Sequence, residues 1–231
     1  MISTQPETFY QAATGFSANG LDIDLINNGT IRVIANGIVN GVFSSVGSGW
    51  IFNNSGNLIV TSYGAEAKGV ITVGSFSNNG TIVVTGQKQV FAVDIVRFEG
   101  ANFYNSGTIR AIDTSLTHGS IGVLWKTGSD GGNLFVNDGR IEGDFAVRVI
   151  SGFIPSGPPE LFTNNGTLVG NVEMGDGPSR LLNRGLIQGL VNFGRGTDLY
   201  DGTLGNLSGA LDGGEGSDTL LGGVGVETLV D

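Results

Sequence analysis

The chain has no cysteine, a single histidine and only five prolines in 231 residues. The absence of cysteine excludes disulfides, thiolate catalysis and cysteine-based metal sites. With His118 alone, there is no His-x-x-x-His or similar cluster for zinc or iron. No stretch approaches the ~20 consecutive apolar residues that a membrane-spanning helix needs. Basic residues are scarce as well: eleven Lys and Arg stand against twenty-one Asp and Glu, a net charge of −10. Nucleic acid binding is disfavoured on that ground, because neutralising phosphates takes clustered Lys and Arg. The opening residues, MISTQPETFYQAATGF, have neither a basic n-region nor an apolar h-region, so no Sec-type signal peptide is visible. They read either as an internal cut with an added Met or as the true start of a protein exported by another route.

Glycine is abundant, at 41 residues, but without the every-third-residue period of collagen, so it marks turns rather than a triple helix. Val, Ile, Leu and Phe are plentiful enough to argue against disorder. The informative pattern is a phrase written seven times: large apolar, x, Asn, x, Gly, x, Ile or Leu. It runs Leu25 to Ile31, Phe52 to Leu58, Phe76 to Ile82, Phe103 to Ile109, Phe135 to Ile141, Phe162 to Leu168 and Leu181 to Ile187. Its glycines, Gly29, Gly56, Gly80, Gly107, Gly139, Gly166 and Gly185, are separated by steps of 27, 24, 27, 32, 27 and 19 residues. Constant inner spacing with variable distance between copies is what a coil produces, with one corner held and loops elsewhere free to grow.

Apolar residues at the two ends of the phrase alternate with polar ones, as in a strand entering and leaving a bend with its large side chains inward. Gly accepts positive φ without steric cost, and Asn bonds its own backbone. Asn27, Asn78, Asn105, Asn137, Asn164 and Asn183 are therefore structural turn residues, able to align as an amide ladder when rungs stack ~4.8 Å apart. A hairpin meander is the competing architecture, but its turns come every 8–12 residues on average, whereas these come about every 26. The pattern predicts an all-β, right-handed parallel β-helix of nine or ten rungs.

The last sixty residues change phrase. Residues 213–221 read Gly-Gly-Glu-Gly-Ser-Asp-Thr-Leu-Leu, and 222–230 read Gly-Gly-Val-Gly-Val-Glu-Thr-Leu-Val. Phe193 to Asp201 carries the same Gly-x-Gly-x-Asp core, and Gly175 to Leu181 is a degenerate copy with Ser179 where Asp would stand. Gly175, Gly194 and Gly214 recur at 19 and 20 residues, a spacing that stacks them along one edge, while Gly223 begins the opposite edge. Acidity concentrates here: residues 171–231 hold nine acids and three arginines, the first 170 twelve acids and eight bases.

Residues 213–221 resemble the Gly-Gly-x-Gly-x-Asp-x-apolar-x nonapeptide of RTX (hemolysin-type) calcium-binding repeats. The resemblance implies a β-roll segment that binds Ca²⁺ between stacked turns, with Asp198 and Asp218 donating carboxylates. Backbone carbonyls near Gly194, Gly196, Gly214 and Gly216 would complete the oxygen shell that this hard cation prefers. The chain departs from that pattern at Glu227, at Phe193 and at Ser179. Read without the resemblance, the same residues are tight corners whose Asp caps the turn by local hydrogen bonds. The Asn-x-Gly rungs resemble, in repeat style, autotransporter passenger domains and large secreted adhesins, which implies life at a surface and no particular ligand. The domain plan that results is 1–20 as an N-terminal cap or leader and 21–190 as a parallel β-helix of Asn-x-Gly rungs. Residues 191–231 follow as RTX-like repeats continuous with it.

Other chemistry is thin. His118 lies in a polar stretch with Asp113 and Ser115, where an isolated imidazole is ordinarily solvated and a triad needs geometry, not proximity in sequence. Asp22/Asp24, Glu142/Asp144 and Asp94/Glu99 are carboxylate pairs of the kind a glycan-cleaving site uses, and equally of the kind a solvated strand face carries. The 107–139 insertion, with Trp125, Lys126 and Ser129 to Gly132, reads as a protruding surface, as does the bend Ile154 to Pro159. The function expected is a non-enzymatic, adhesin-like or structural calcium-binding protein, extracellular or on a bacterial cell surface, with a cell-surface or carbohydrate ligand as a further partner. The alternative is a carbohydrate-active β-helix, a lyase or epimerase with an RTX-like tail. The last rung reads as unfinished at Asp231, as in a fragment of a longer protein or one that pairs at this end.

Overall fold

The computed structural model describes residues 12–18, 24–44, 51–96, 102–115, 119–126, 133–150, 158–223 and 228–230. Asp22, Glu99, His118, residues 129–132 and 154–157, Glu227 and Asp231 lie outside them, as do residues 1–11. Among the described residues there is no helix, so no apolar helix long enough to cross a membrane. Every strand pairing is parallel. The expectation of an all-β solenoid-like stack holds at that level.

Three walls make up each rung. The first is a nine-stranded sheet of Asp24–Asn27, Ile51–Asn54, Ser75–Asn78, Asn102–Asn105, Leu134–Asn137, Glu160–Asn164, Ser179–Asn183, Leu199–Asp201 and Thr219–Leu221. The second begins with Thr30–Ala35, Asn57–Ser62, Thr81–Gly86 and Thr108–Asp113, and the third with Ala12–Ala18, Ile38–Ser44, Ala67–Thr72, Val90–Val96 and Ser120–Lys126. These two merge where the eleven-residue strand Arg140–Ile150 pairs with both Thr108–Asp113 and Ser120–Lys126. Beyond it the cross-section narrows: Thr167–Glu173 is followed by the short pairs Leu186–Gln188 with Val191–Asn192, then Asn206–Leu207 with Ala210–Asp212. Shortened walls account for rungs of 19 or 20 residues where the earlier ones take 24 to 32.

Strand alternation fills the interior with columns of like residues. Phe52, Phe76, Phe103, Phe135 and Phe162 are register partners, all at most 3 % exposed. Successive ring centroids lie 5.9, 5.0, 4.3 and 4.9 Å apart, in or just inside the separations at which aromatic pairs add about 0.5–1.5 kcal/mol beyond area burial. Leu58, Ile82, Ile109, Ile141, Leu168 and Ile187 form a second buried column.

Trp125 corrects the expectation of a protruding surface. It is buried in the core and packs edge-on against Phe103, Phe135 and Phe162. Within the 107–139 interval the chain forms the strand Ser120–Lys126, buried along its length as far as Trp125. Lys126 is half-buried, with its Nζ 2.8 Å from Asp94.

Candidate metal centre

Two corners of the coil bury polar side chains, and they do so by different means. Between walls one and two, the phrase asparagines form a continuous amide ladder. Each Nδ2 donates to the Oδ1 of the next rung, from Asn27 to Asn54, Asn78, Asn105, Asn137, Asn164 and Asn183, at 2.7–2.9 Å. From Asn54 to Asn164 each Nδ2 also approaches the carbonyl of the glycine two residues on, at 3.2–3.4 Å. The ladder ends at Asn183, which donates to the Asn206 carbonyl. Gly205 lies so close there that an added Cβ would sit 2.6 Å from Asn183 Nδ2.

The corner glycines are needed for a reason other than positive φ. Gly56, Gly80, Gly107, Gly139, Gly166 and Gly185 are absent from the residues with φ in the left-handed region. A Cβ on any of them would stand 2.0–2.1 Å from the carbonyl oxygen of the preceding rung's glycine. Close stacking of backbone on backbone, not turn handedness, excludes side chains.

The other corner joins wall three to wall one. In the narrow rungs it consists of residues 174–178, 193–198 and 213–218, the glycine–aspartate turns. They are stacked: Gly194 N–H donates to Gly175 O at 3.0 Å, Glu215 N–H to Gly194 O at 3.1 Å, and Arg195–Gly196 pairs with Glu215–Gly216. Gly214 (φ 84°) and Gly216 (φ 152°) do occupy the region that disfavours a side chain. Thr219–Leu221 continues wall one, and Thr228–Val230 pairs with Ala210–Asp212 in wall three.

Asp198 and Asp218 end successive turns and point back one rung. Asp198 Oδ1 accepts from Ser179 N–H at 2.7 Å, and Asp218 Oδ1 from Asp198 N–H at 2.8 Å. The second oxygen of each, Oδ2, is buried with no hydrogen-bond partner. Asp198 is 2 % exposed, and burial pushes its carboxyl up to about 6 despite the Ser179 bond, with the Asp218 charge adding to the rise. Both oxygens face glycines. A Cβ on Gly196 would lie 2.8 Å from the Gly177 carbonyl oxygen and 3.1 Å from Asp198 Oδ2, and one on Gly213 would lie 3.0 Å from Asp218 Oδ2. Bare glycine thus leaves a cradle lined by carboxylate and carbonyl oxygen, a donor set suited to Ca²⁺. Neighbouring acids are engaged elsewhere: Asp176 with Arg195, Asp201 with Thr203, Asp212 with Gly214 N–H. No group of three or more His, Cys, Asp or Glu side chains clusters as a ready metal cage among the described residues, so backbone carbonyls would have to supply much of any shell.

Of the carboxylates paired in the sequence, Glu142, Asp144 and Asp94 have local partners. Glu142 is ion-paired with Arg110 at 3.0 Å and Arg140 at 3.1 Å, and exposed Asp144 accepts from Ser120 N–H and Oγ. Asp24 lies exposed on its strand. Asp94 is 1 % exposed and held between Lys126 at 2.8 Å and Lys68 at 3.7 Å, a buried ion pair signalled in the sequence only by one acid within the apolar run Val90 to Val96. Asn133 and Glu160, which the sequence did not single out, share the corner column with Ser179 and Asp198. No protein-family model matches the chain, and no curated protein or solved structure matches it significantly. Fold and corner together define a parallel β-solenoid with an oxygen-lined acidic edge.

Proposed function

We propose that this is a secreted or cell-surface calcium-binding β-helix protein, adhesin-like or structural rather than enzymatic. Its rungs wind in the right-handed sense, as parallel crossover connections overwhelmingly do, and its narrow end is an RTX-like roll. The observation that carries the reading is the unpartnered, buried Oδ2 of Asp198 facing the Gly177 carbonyl beside Gly196. An ionised carboxylate with an unsatisfied oxygen in a buried corner is costly, and a hard cation removes that cost.

Asp198 and Asp218, with carbonyls near Gly194, Gly196, Gly214 and Gly216, would hold the ion. Bound there, Ca²⁺ supplies charge neutralisation, tying successive turns together so that folding of the last rungs is coupled to binding. Extracellular Ca²⁺-binding modules work at 10⁻⁴–10⁻³ M, which suits a protein that completes folding only after export.

Thermal melting after chelation and again in millimolar CaCl₂ tests this. The parent should gain stability with calcium, and Asp198→Ala and Asp218→Ala should lose that gain. An unchanged parent melt would reduce the corner to turn chemistry.

A further inference from the structure

The carboxylates with a stranded oxygen do not stop at the glycine–aspartate turns. Glu160 is the register partner of Ser179, and Ser179 N–H in turn donates to Asp198. On the other side, the ladder bond from Leu161 N–H to Asn133 O places Asn133 one rung before Glu160. The corner column therefore reads Asn133, Glu160, Ser179, Asp198, Asp218, drawn from segments 19 to 27 residues apart.

Glu160 repeats the behaviour of the two aspartates. It is 7 % exposed and reaches back one rung, where Asn133 Nδ2 donates to its Oε1 at 3.3 Å. Its second oxygen, Oε2, is buried and has no partner. Burial raises its carboxyl from its ordinary value, with the Asn133 bonds opposing the rise. On the facing rung Ser179 is buried, its hydroxyl donating to the Gly177 carbonyl at 3.4 Å. Carboxylate oxygen thus comes from one rung and hydroxyl and carbonyl oxygens from the next, and Gly177 O also borders the cradle at Gly196.

We propose that Glu160, with the Ser179 hydroxyl and the Gly177 carbonyl, forms a second oxygen-donor site for a hard divalent cation, outside the glycine–aspartate motif. Glu160 takes the carboxylate role one rung before the degenerate turn. This deepens the cation reading of the same corner, and the test separates the two.

Calcium binding is measured by equilibrium dialysis on the parent, on Asp198→Asn/Asp218→Asn, and on that double variant carrying Glu160→Gln. Circular dichroism checks that each remains folded. The expected result is about one equivalent of Ca²⁺ retained by the double variant and lost with Glu160→Gln. Ser179→Ala in the double background, which alters no charge, should weaken the retained equivalent about tenfold, the order of one lost neutral ligand. A double variant that binds no calcium while the parent does overturns this second site alone. A parent that binds none overturns both sites. Retention by the triple variant, or an infrared carboxylic-acid band that calcium leaves in place and Glu160→Gln removes, also overturns it.

Discussion

The two buried polar corners meet one problem with opposite chemistry. Stacking puts like side chains directly above one another every ~4.8 Å, so whatever occupies a column must satisfy itself. The amide of asparagine carries donor and acceptor, so Asn27 through Asn183 close into a chain at 2.7–2.9 Å. A carboxylate is acceptor-only. Stacked carboxylates can take one N–H each and leave the other oxygen stranded, as Glu160, Asp198 and Asp218 do. The amide corner is complete within the protein; the acidic corner leaves three carboxylate oxygens without a protein partner.

The largest expected effect comes from putting acidic-corner chemistry into the amide column. Asn105→Asp sets an acceptor-only side chain against Asn137 Oδ1 and the Gly107 and Arg140 carbonyls that Asn105 Nδ2 now serves. A loss of about 3–5 kcal/mol by urea denaturation near neutral pH is expected, easing in acid as the carboxyl gains a proton to donate. A loss under ~1 kcal/mol would show that the ladder does not bear on stability.

The reverse exchange should have the opposite sign. Asp198 has its folded pKa raised from 3.8 to about 6, so the folded state holds its proton more tightly than the unfolded state. Calcium-free stability should therefore fall as pH rises from about 4 to 6 and stay flat above, a penalty of at most about 3 kcal/mol. Asp198→Asn should remove that slope and stabilise the chelated protein, while abolishing its response to calcium. Chelated melts that rise with pH across this window would break the contrast.

Glycine substitutions sharpen it further. Gly107→Ala places a methyl 2.1 Å from the Gly80 carbonyl oxygen, where only backbone can yield, whereas Gly196→Ala meets Gly177 O at 2.8 Å and a movable carboxylate at 3.1 Å. The first should cost about 3 kcal/mol or more; the second should cost about 1 kcal/mol but blunt the calcium shift by filling the cradle. Equal losses would mean that the two corners are equally tight. Smallest of all, Tyr104→Phe removes an exposed hydroxyl bonded to Asp138 at 2.8 Å, and stability should change by no more than about 0.5 kcal/mol.

How far each feature was legible follows from its range along the chain. The Asn-x-Gly corner is local, seven residues long, and repeats, so both its column of amides and its column of Phe could be read in advance. Trp125 was misplaced because an interval of 32 residues shows only that residues were added, not at which corners. The glycine requirement was attributed to φ because turn rules are local, whereas the excluding contact comes from another rung. Asn133 and Glu160 belong to no short motif, and Ser179 reads only as a missing Asp. They become one column only through register between segments many residues apart.

Residue order alone thus carried the parallel coil, its inward-facing columns and the acid-rich final turns, because a repeated local preference needs no distant partner to be recognised. Stacking decided which polar atoms are left over: only when rungs settle in register does an amide find its neighbour and a carboxylate oxygen find none.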